Sequence, residues 1–268
     1  MFCREAGVAI QFSLVWSACS TGDCMQFMST HCTAWHGIRE CRACDGKENA
    51  FFAGVAHQDV AALHVQIDNV SYALGETIYR LDAPAETLLV IRTGAVKLAR
   101  YAGKDAKQRI VRVLKPGDVV GMDAMLAGTA QHHAVAVGEV RGCRIPIAVV
   151  QQLCMEHPGF QWNMMRQLQS SLRETEQWLV DLTCGSVPAR ERMARLLLRL
   201  RDGDSDRIYH FSLKDLSAML CITLETASRV ITEFAGLGLM VRTGKHSEQF
   251  FSADIAALQR VAAGAPAP

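Results

Sequence analysis

Two groups of residues in this 268-residue chain have the types and spacing to do chemistry. The first is a set of thiols. Six of the ten cysteines fall early: Cys3, Cys19, Cys24, Cys32, Cys41 and Cys44. The last three lie in HCTAWHGIRECRAC, with Cys41 and Cys44 at CxxC spacing. Two thiolates so close can grip one metal ion or one edge of an iron–sulfur cluster. By themselves they fit equally a redox dithiol, a zinc site completed by His36 and Cys32, or no site at all. The second group is Glu225, Ser228, Arg229 and Thr232, which repeat at helical spacing. That face is small, polar and able to donate and accept. Reading base edges in a major groove requires such a face.

The elements that must hold the second group lie in residues 212–234. Ser212 is a plausible cap for a first helix, with Asp215 in the capping-box position and Leu213, Leu216 and Leu220 on one apolar face. The pattern breaks at Cys221-Ile222 and restarts after a second cap, Thr223. From there Leu224, Ala227, Ile231 and Phe234 recur at helical spacing, which predicts a buried stripe. Residues 239–242 and 248–252 read as short strands around Thr243-Gly244-Lys245, a hairpin directly after the second helix. Helix, turn, helix and wing in that order point to a DNA-reading unit, with an ordinary helical hairpin and a solvated outer face as the alternative.

Upstream, the runs ETIYRL, TLLVIRTGAVKLARY, QRIVRVL, HAVAV and GCRIPI between about 55 and 146 are punctuated by glycines at turn spacing. They predict an antiparallel jelly roll. His132 and His133 in one of its loops are metal or haem ligands by type, or simply solvated. Residues 158–184 then read as a long helix. Met165, Leu168, Leu172, Thr175, Leu179 and Leu182 alternate by three and four along it, a seam that wants a partner helix. A parallel two-fold homodimer supplies one; packing on the chain's own β-domain is the alternative. Gly185-Ser186-Val187-Pro188 reads as a hinge, 189–200 as a helix, and 201–207 (RDGDSDR) as a solvated loop.

The resulting fold class is α+β, in four parts: a Cys-rich extension (1–50), a β jelly-roll sensor domain (51–150), a dimerisation helix (151–186) and a winged helix-turn-helix domain (187–268). A net charge of +1 neither favours nor excludes a DNA partner. The apolar run at 8–18 is too short to span a bilayer and makes a poor signal peptide, so a cytoplasmic protein with no membrane partner is expected. In such a compartment disulfides are the weaker explanation of the thiols. No Gly-rich phosphate loop, no G-x-S-x-G turn and no βαβ unit around the CxxC pair appears, which argues against an enzyme.

LCITLETASRVI resembles the recognition region of the CRP/FNR family of bacterial transcription regulators, and its Glu-x-x-Ser-Arg core is similar to the FNR branch. The resemblance implies a dimer on a palindromic, TTGAT-like site in double-stranded DNA, with RNA polymerase as protein partner. Arg229 would read a guanine, Glu225 a cytosine amino group and Ser228 a thymine-side edge, with Thr223 and Thr226 beside them. It also implies an oxygen-labile [4Fe–4S] cluster. Cys41, Cys44 and Cys143 match three of its ligands. The family's remaining position falls at Ala50, so Cys32 stands in for it. Zinc, haem, a thiol switch or no cofactor are the alternatives. Cys154, Cys184 and Cys221 are expected to be buried structural thiols. The cyclic-nucleotide-binding fold is expected without its ligand. The family's phosphate-binding arginine has no counterpart in Gln131-His132-His133-Ala134, and burying phosphate without a cation is costly.

Overall fold

The computed structural model describes residues 32–33, 50–53, 55, 67–102, 107–183, 185–242 and 249–265. Strands β1 (Cys32–Thr33), β2 (Asp68–Tyr72), β3 (Thr77–Tyr79), β4 (Thr87–Ala102), β5 (Lys107–Leu114), β6 (Val119–Val120) and β7 (His133–Pro146) form one antiparallel sheet. Its order is β1-β2-β7-β4-β5, with β3 on β7 and β6 on β4. The two long strands carry it: β4 and β7 pair from Thr87 opposite Pro146 to Ala99 opposite His133, with register shifts between Ile91 and Ala95. Such shifts bend a strand, so one pair can serve both halves of a rolled sheet. Gly94 sits at the shift with φ +86°, and a Cβ there would stand 2.3 Å from the Glu139 carbonyl oxygen. Glycine alone fits on both counts.

Alternation along β4 explains why its sequence is apolar on both faces. Leu89 and Ile91 enter one core with Val96, Leu98, Leu114 and Val140. Leu88 and Val90 enter the other, with Cys143 and Ile145 of β7. The second core is closed by a short helix, α1 (Ala124–Ala127), by α2 (Ile147–Glu156), by the start of α3 (Pro158–Thr183) and by a 3₁₀ turn at Ala50–Phe52. Residues 151–156, expected in the dimerisation helix, belong instead to α2. The break lies at His157, whose φ −126° and ψ 96° are extended. The residue before a proline avoids the helical region, and Pro158 opens the next helix without an N–H to satisfy.

The C-terminal part contains α4 (Ala189–Arg199), β8 (Arg207–Tyr209), α5 (Leu213–Leu220), α6 (Leu224–Gly236), β9 (Met240–Arg242), β10 (Phe250–Ala253) and α7 (Ile255–Ala262). Met193, Leu197, Phe211, Leu220, Phe234 and Leu258 form the middle of its core. The wing is there, but as three strands in the order β8-β10-β9. The predicted loop at 201–207 therefore ends in a strand: an Arg207–Asp202 ion pair at 2.7 Å closes the turn before it. Lys97 of β4 reaches Asp215 of α5 at 2.6 Å, and Lys115 Nζ donates to the Arg199 and Arg201 carbonyls at 3.1 Å, so the β-roll grips the C-terminal helices directly. Among the described residues no helix is long and apolar enough to cross a membrane.

Candidate nucleic-acid interface

Both helices of the reading unit are capped as their sequence requires. Ser212 Oγ accepts from the Asp215 backbone N–H at 3.1 Å, and Thr223 Oγ1 accepts from that of Thr226 at 3.1 Å. Each bond satisfies a donor that the first helical turn leaves open. The turn between them is made at Cys221, which lies in the left-handed region at φ 55° and ψ 40°. A residue with a Cβ is disfavoured there by about 1 kcal/mol or more. The Cys221 thiol is exposed and touched by the Arg109 guanidinium, so it is not the buried structural thiol expected from its apolar neighbours. Cys154 is half-buried and its thiol is pushed up by burial, whereas Cys184 lies outside the described residues.

One arginine ties this unit to the long helix. Arg192 of α4 donates to the carbonyls of Leu182 near the end of α3 (3.1 Å), Val187 (3.2 Å) and Leu220 at the end of α5 (2.9 Å). A cation at two helix C-termini satisfies open carbonyls and opposes the negative ends of both dipoles.

On α6 the buried residues are Ala227, Val230 and Phe234. Two members of the predicted stripe fall elsewhere: Ile231 is half-buried and Leu224 is exposed, Val230 taking the inner place. Leu213 of α5 likewise sits at the margin, while Leu216 and Leu220 are buried. Glu225 and Arg229 are exposed one turn apart, with Thr226 and Ser228 half-exposed beside them and Thr223 exposed at the cap. The structure thus brings all five predicted reading residues to the first two turns of one helix.

The seam on α3 divides. Met165 (56 % exposed), Leu172 (61 %) and Leu179 (63 %) stand in solvent, with Leu168 less so. Thr175 is exposed and returns its hydroxyl to the Ser171 carbonyl at 2.9 Å. Leu182 does not belong with them: it is 1 % exposed, packed with Trp178 into the C-terminal core. The outward turn of the helix ends about one turn before its last seam position.

Of the predicted metal ligands, Cys41 and Cys44 lie outside the described residues, and of Cys32 only the backbone is described. Cys32 pairs with Val70 across β1 and β2, and Thr33 with Asn69, which pairs in turn with Cys143. Cys143 is buried, its Sγ 3.7 Å from Asn69 Oδ1. It shares its core cluster with Phe51, whose carbonyl accepts from Asn163 Nδ2 of α3 at 2.9 Å. Among the described residues no three His, Cys, Asp or Glu side chains converge as a metal site.

Between the roll and α3 lies a cavity of about 370 Å³, lined by Arg112, Asp118, Gly121, Asp123, His132 and Ser171 among others. It contains a cation that sequence reading missed. Arg112 enters from β5, far in sequence from 131–134, and donates to Ser171 Oγ and to Glu174 Oε2 (3.0 Å) on α3. Burial pushes the Asp118 carboxyl above the usual carboxylate range, despite the Lys115 N–H it accepts at 2.8 Å. Burial also pulls Asp123 upward, but its hydrogen bond and charge contact with His132 (2.9 Å) outweigh this and leave it lowered. His133 Nδ1 accepts from the Leu81 N–H at 3.4 Å, so both histidines considered as ligands have protein partners.

Residues 69–157 match the model for the cyclic nucleotide-binding domain, and 191–261 that for the Crp-like helix-turn-helix domain, together more than half of the chain. The chain belongs to the CRP/FNR family. It is a DNA-binding transcription regulator. The CRP-like cAMP-activated global transcriptional regulator of Mycobacterium tuberculosis is 26 % identical over 202 residues, 72 % of this chain and 89 % of that one. The fumarate and nitrate reduction regulatory protein of Salmonella typhi is 25 % identical over 193 residues, 68 % and 76 % of the two chains. FixK2 from Bradyrhizobium japonicum shares the fold with a TM-score of 0.62 at 23 % identity, over 75 % of this chain and 98 % of that one.

Proposed function

We propose that this CRP/FNR regulator acts as a homodimer that joins α3 to its symmetry mate through Met165, Leu168, Leu172, Thr175 and Leu179. In that state it presents two copies of α6 to an inverted repeat of TTGAT-like half-sites. The observation that carries this reading is a pair of open surfaces on rigid helices: an apolar seam on α3 and a polar face on α6. An apolar stripe of this kind on a single chain marks an interface. Arg229 and Glu225 give discrimination, Ser228, Thr223 and Thr226 complete the contact, and backbone phosphates give the salt-dependent part of the affinity. DNA-bound, the dimer recruits or obstructs RNA polymerase.

We further propose that the chain senses oxygen or redox state through an iron–sulfur cluster held by Cys41, Cys44, Cys143 and Cys32. What supports a cluster is the setting of Cys143. Its thiol sits in an apolar core that also anchors the turn six residues after Cys44, and water is kept from such a place. A bound cluster supplies one-electron chemistry and lability to oxygen; the part of this chain is to hold the thiolates and to connect that core, through Phe51 and Asn163, to the dimer helix. No cyclic nucleotide is expected, because Arg112 is already paired with Glu174 and the remaining charged groups named in the cavity include Asp118 and Asp123. Protein purified without air should contain iron and acid-labile sulfide, absorb broadly near the visible range and bleach in oxygen, and Cys143→Ser should lose both. Colourless protein free of iron, prepared anaerobically, would refute the cluster and leave the DNA reading standing.

A further inference from the structure

Lys97 is a cation set in an apolar face. Side chains alternate along β4: Val96 and Leu98 enter the core of the roll, whereas Ala95 and Ala99 join Ile110, Val113 and Val137 in the core of the C-terminal helices. Lys97 lies between the two alanines. Its Nζ meets Asp215 Oδ1 of α5 at 2.6 Å, with the two side chains 16 % and 12 % exposed. The other Asp215 oxygen accepts from Ser212 Oγ at 2.9 Å, and Ser212 Oγ accepts from the Asp215 N–H at 3.1 Å. The carboxylate at the cap of α5 is therefore also the one that the roll holds.

Stability alone does not call for a charged pair here. Two buried charges repay little more than the cost of leaving water, and neutral groups of similar size are often as stable in their place. The alanines and valines around them attract without direction, so a helix resting on them alone is free to shift. An ion pair at hydrogen-bonding distance has one best position. This one holds α5 at its first turn, and α5 packs against α6, so a shift at Asp215 reaches the reading face. We propose that Lys97 is a positioning residue for DNA binding. Through Asp215 it fixes the angle at which the roll carries α5 and α6, and with it the half-site separation that a dimer accepts. Lys115, on the Arg199 and Arg201 carbonyls at the end of α4, holds the same unit at a second point. The inference rests on the two-fold reading of DNA by α6.

The test uses the full chain and the inverted repeat it selects from a randomised library, with one base pair then added to or removed from the centre. One added pair turns a half-site by about 35° and moves it by about 3.4 Å. The wild type should bind both altered repeats more weakly than the selected one. Lys97→Met with Asp215→Asn removes both charges and keeps an acceptor for Ser212. This double variant should sediment as the same dimer, melt close to the wild type and prefer the same half-site sequence. Its penalty for altered spacing should shrink about fivefold or more, as for linked sites that have lost their coupling. Lys97→Arg, which keeps a cation, should keep the wild-type penalty. An unchanged penalty in the double variant overturns the proposal. So does a double variant that melts far below the wild type, since the pair is then a bond of the fold. A wild type indifferent to spacing overturns the two-fold reading and this inference with it.

Discussion

Two polar constellations in this molecule have opposite fates. In the cavity of the roll, charge is closed on itself, Arg112 on Glu174 and Ser171 and Asp123 on His132, as Lys97 of β4 is on Asp215 of α5 outside it. On α6, Glu225 and Arg229 stand exposed on a helix whose inner face is fixed by Ala227, Val230 and Phe234. Groups paired within the chain hold it together, whereas groups kept apart on a rigid, capped helix are available to a partner. The same contrast runs along α3, where Leu182 is sealed into the chain and Leu172 and Leu179 stand in solvent, open to a partner.

Charging the α3 seam should break the comparison most severely. Leu172→Glu with Leu179→Glu places two carboxylates per chain where two apolar faces meet, and both sites are exposed in the single chain, so folding is retained. Sedimentation should show a monomer, and affinity for an inverted repeat should fall toward its nonspecific level, a loss of about a thousandfold or more. Next comes the reading face. Arg229→Ala should weaken specific binding by about 1–3 kcal/mol and leave binding to random duplex nearly unchanged; competition titrations at fixed salt measure both. The smallest effect lies in the cavity. Arg112→Ala removes the partners of Ser171 and of the half-exposed Glu174, and should lower stability by about 1–2 kcal/mol in urea with little change in DNA specificity. Without Arg112 the Asp118 carboxyl, already raised by burial, rises further. Ionising it then costs the folded state more, so the deficit is largest at neutral pH and shrinks as pH falls through the carboxylate range.

Local pattern made α5 and α6 legible, because Ser212 and Thr223 are caps of their own first turns and a period of 3.6 needs no distant partner. It misled at Leu224 and Leu182, since period gives the phase of a face but not where neighbouring elements stop covering it. Helix α2 was hidden because IAVVQQLCME continues the apolar run of β7 without a break. Strand β8 has only three residues and exists through its pairing with β10. Arg112 was out of reach for the same reason: a cation delivered by β5 to a cavity on α3 is a long-range fact. The spacing of Cys41 and Cys44 was legible as a chelating pattern, whereas the burial of Cys143 comes from the pairing of β7 with β2 and β4, which no local spacing reveals.

The central claim is that two copies of one exposed polar face, set at a fixed separation by α3, recognise a two-fold site. The direct measurement is the stoichiometry and affinity of anaerobically prepared protein on three duplexes: an inverted repeat of TTGAT-like half-sites, a single half-site, and a scrambled control. The account predicts two chains on the repeat, bound far more tightly than either of the others, with the advantage vanishing when the two half-sites are moved apart by half a helical turn. One chain per duplex, with equal affinity for all three, would contradict it.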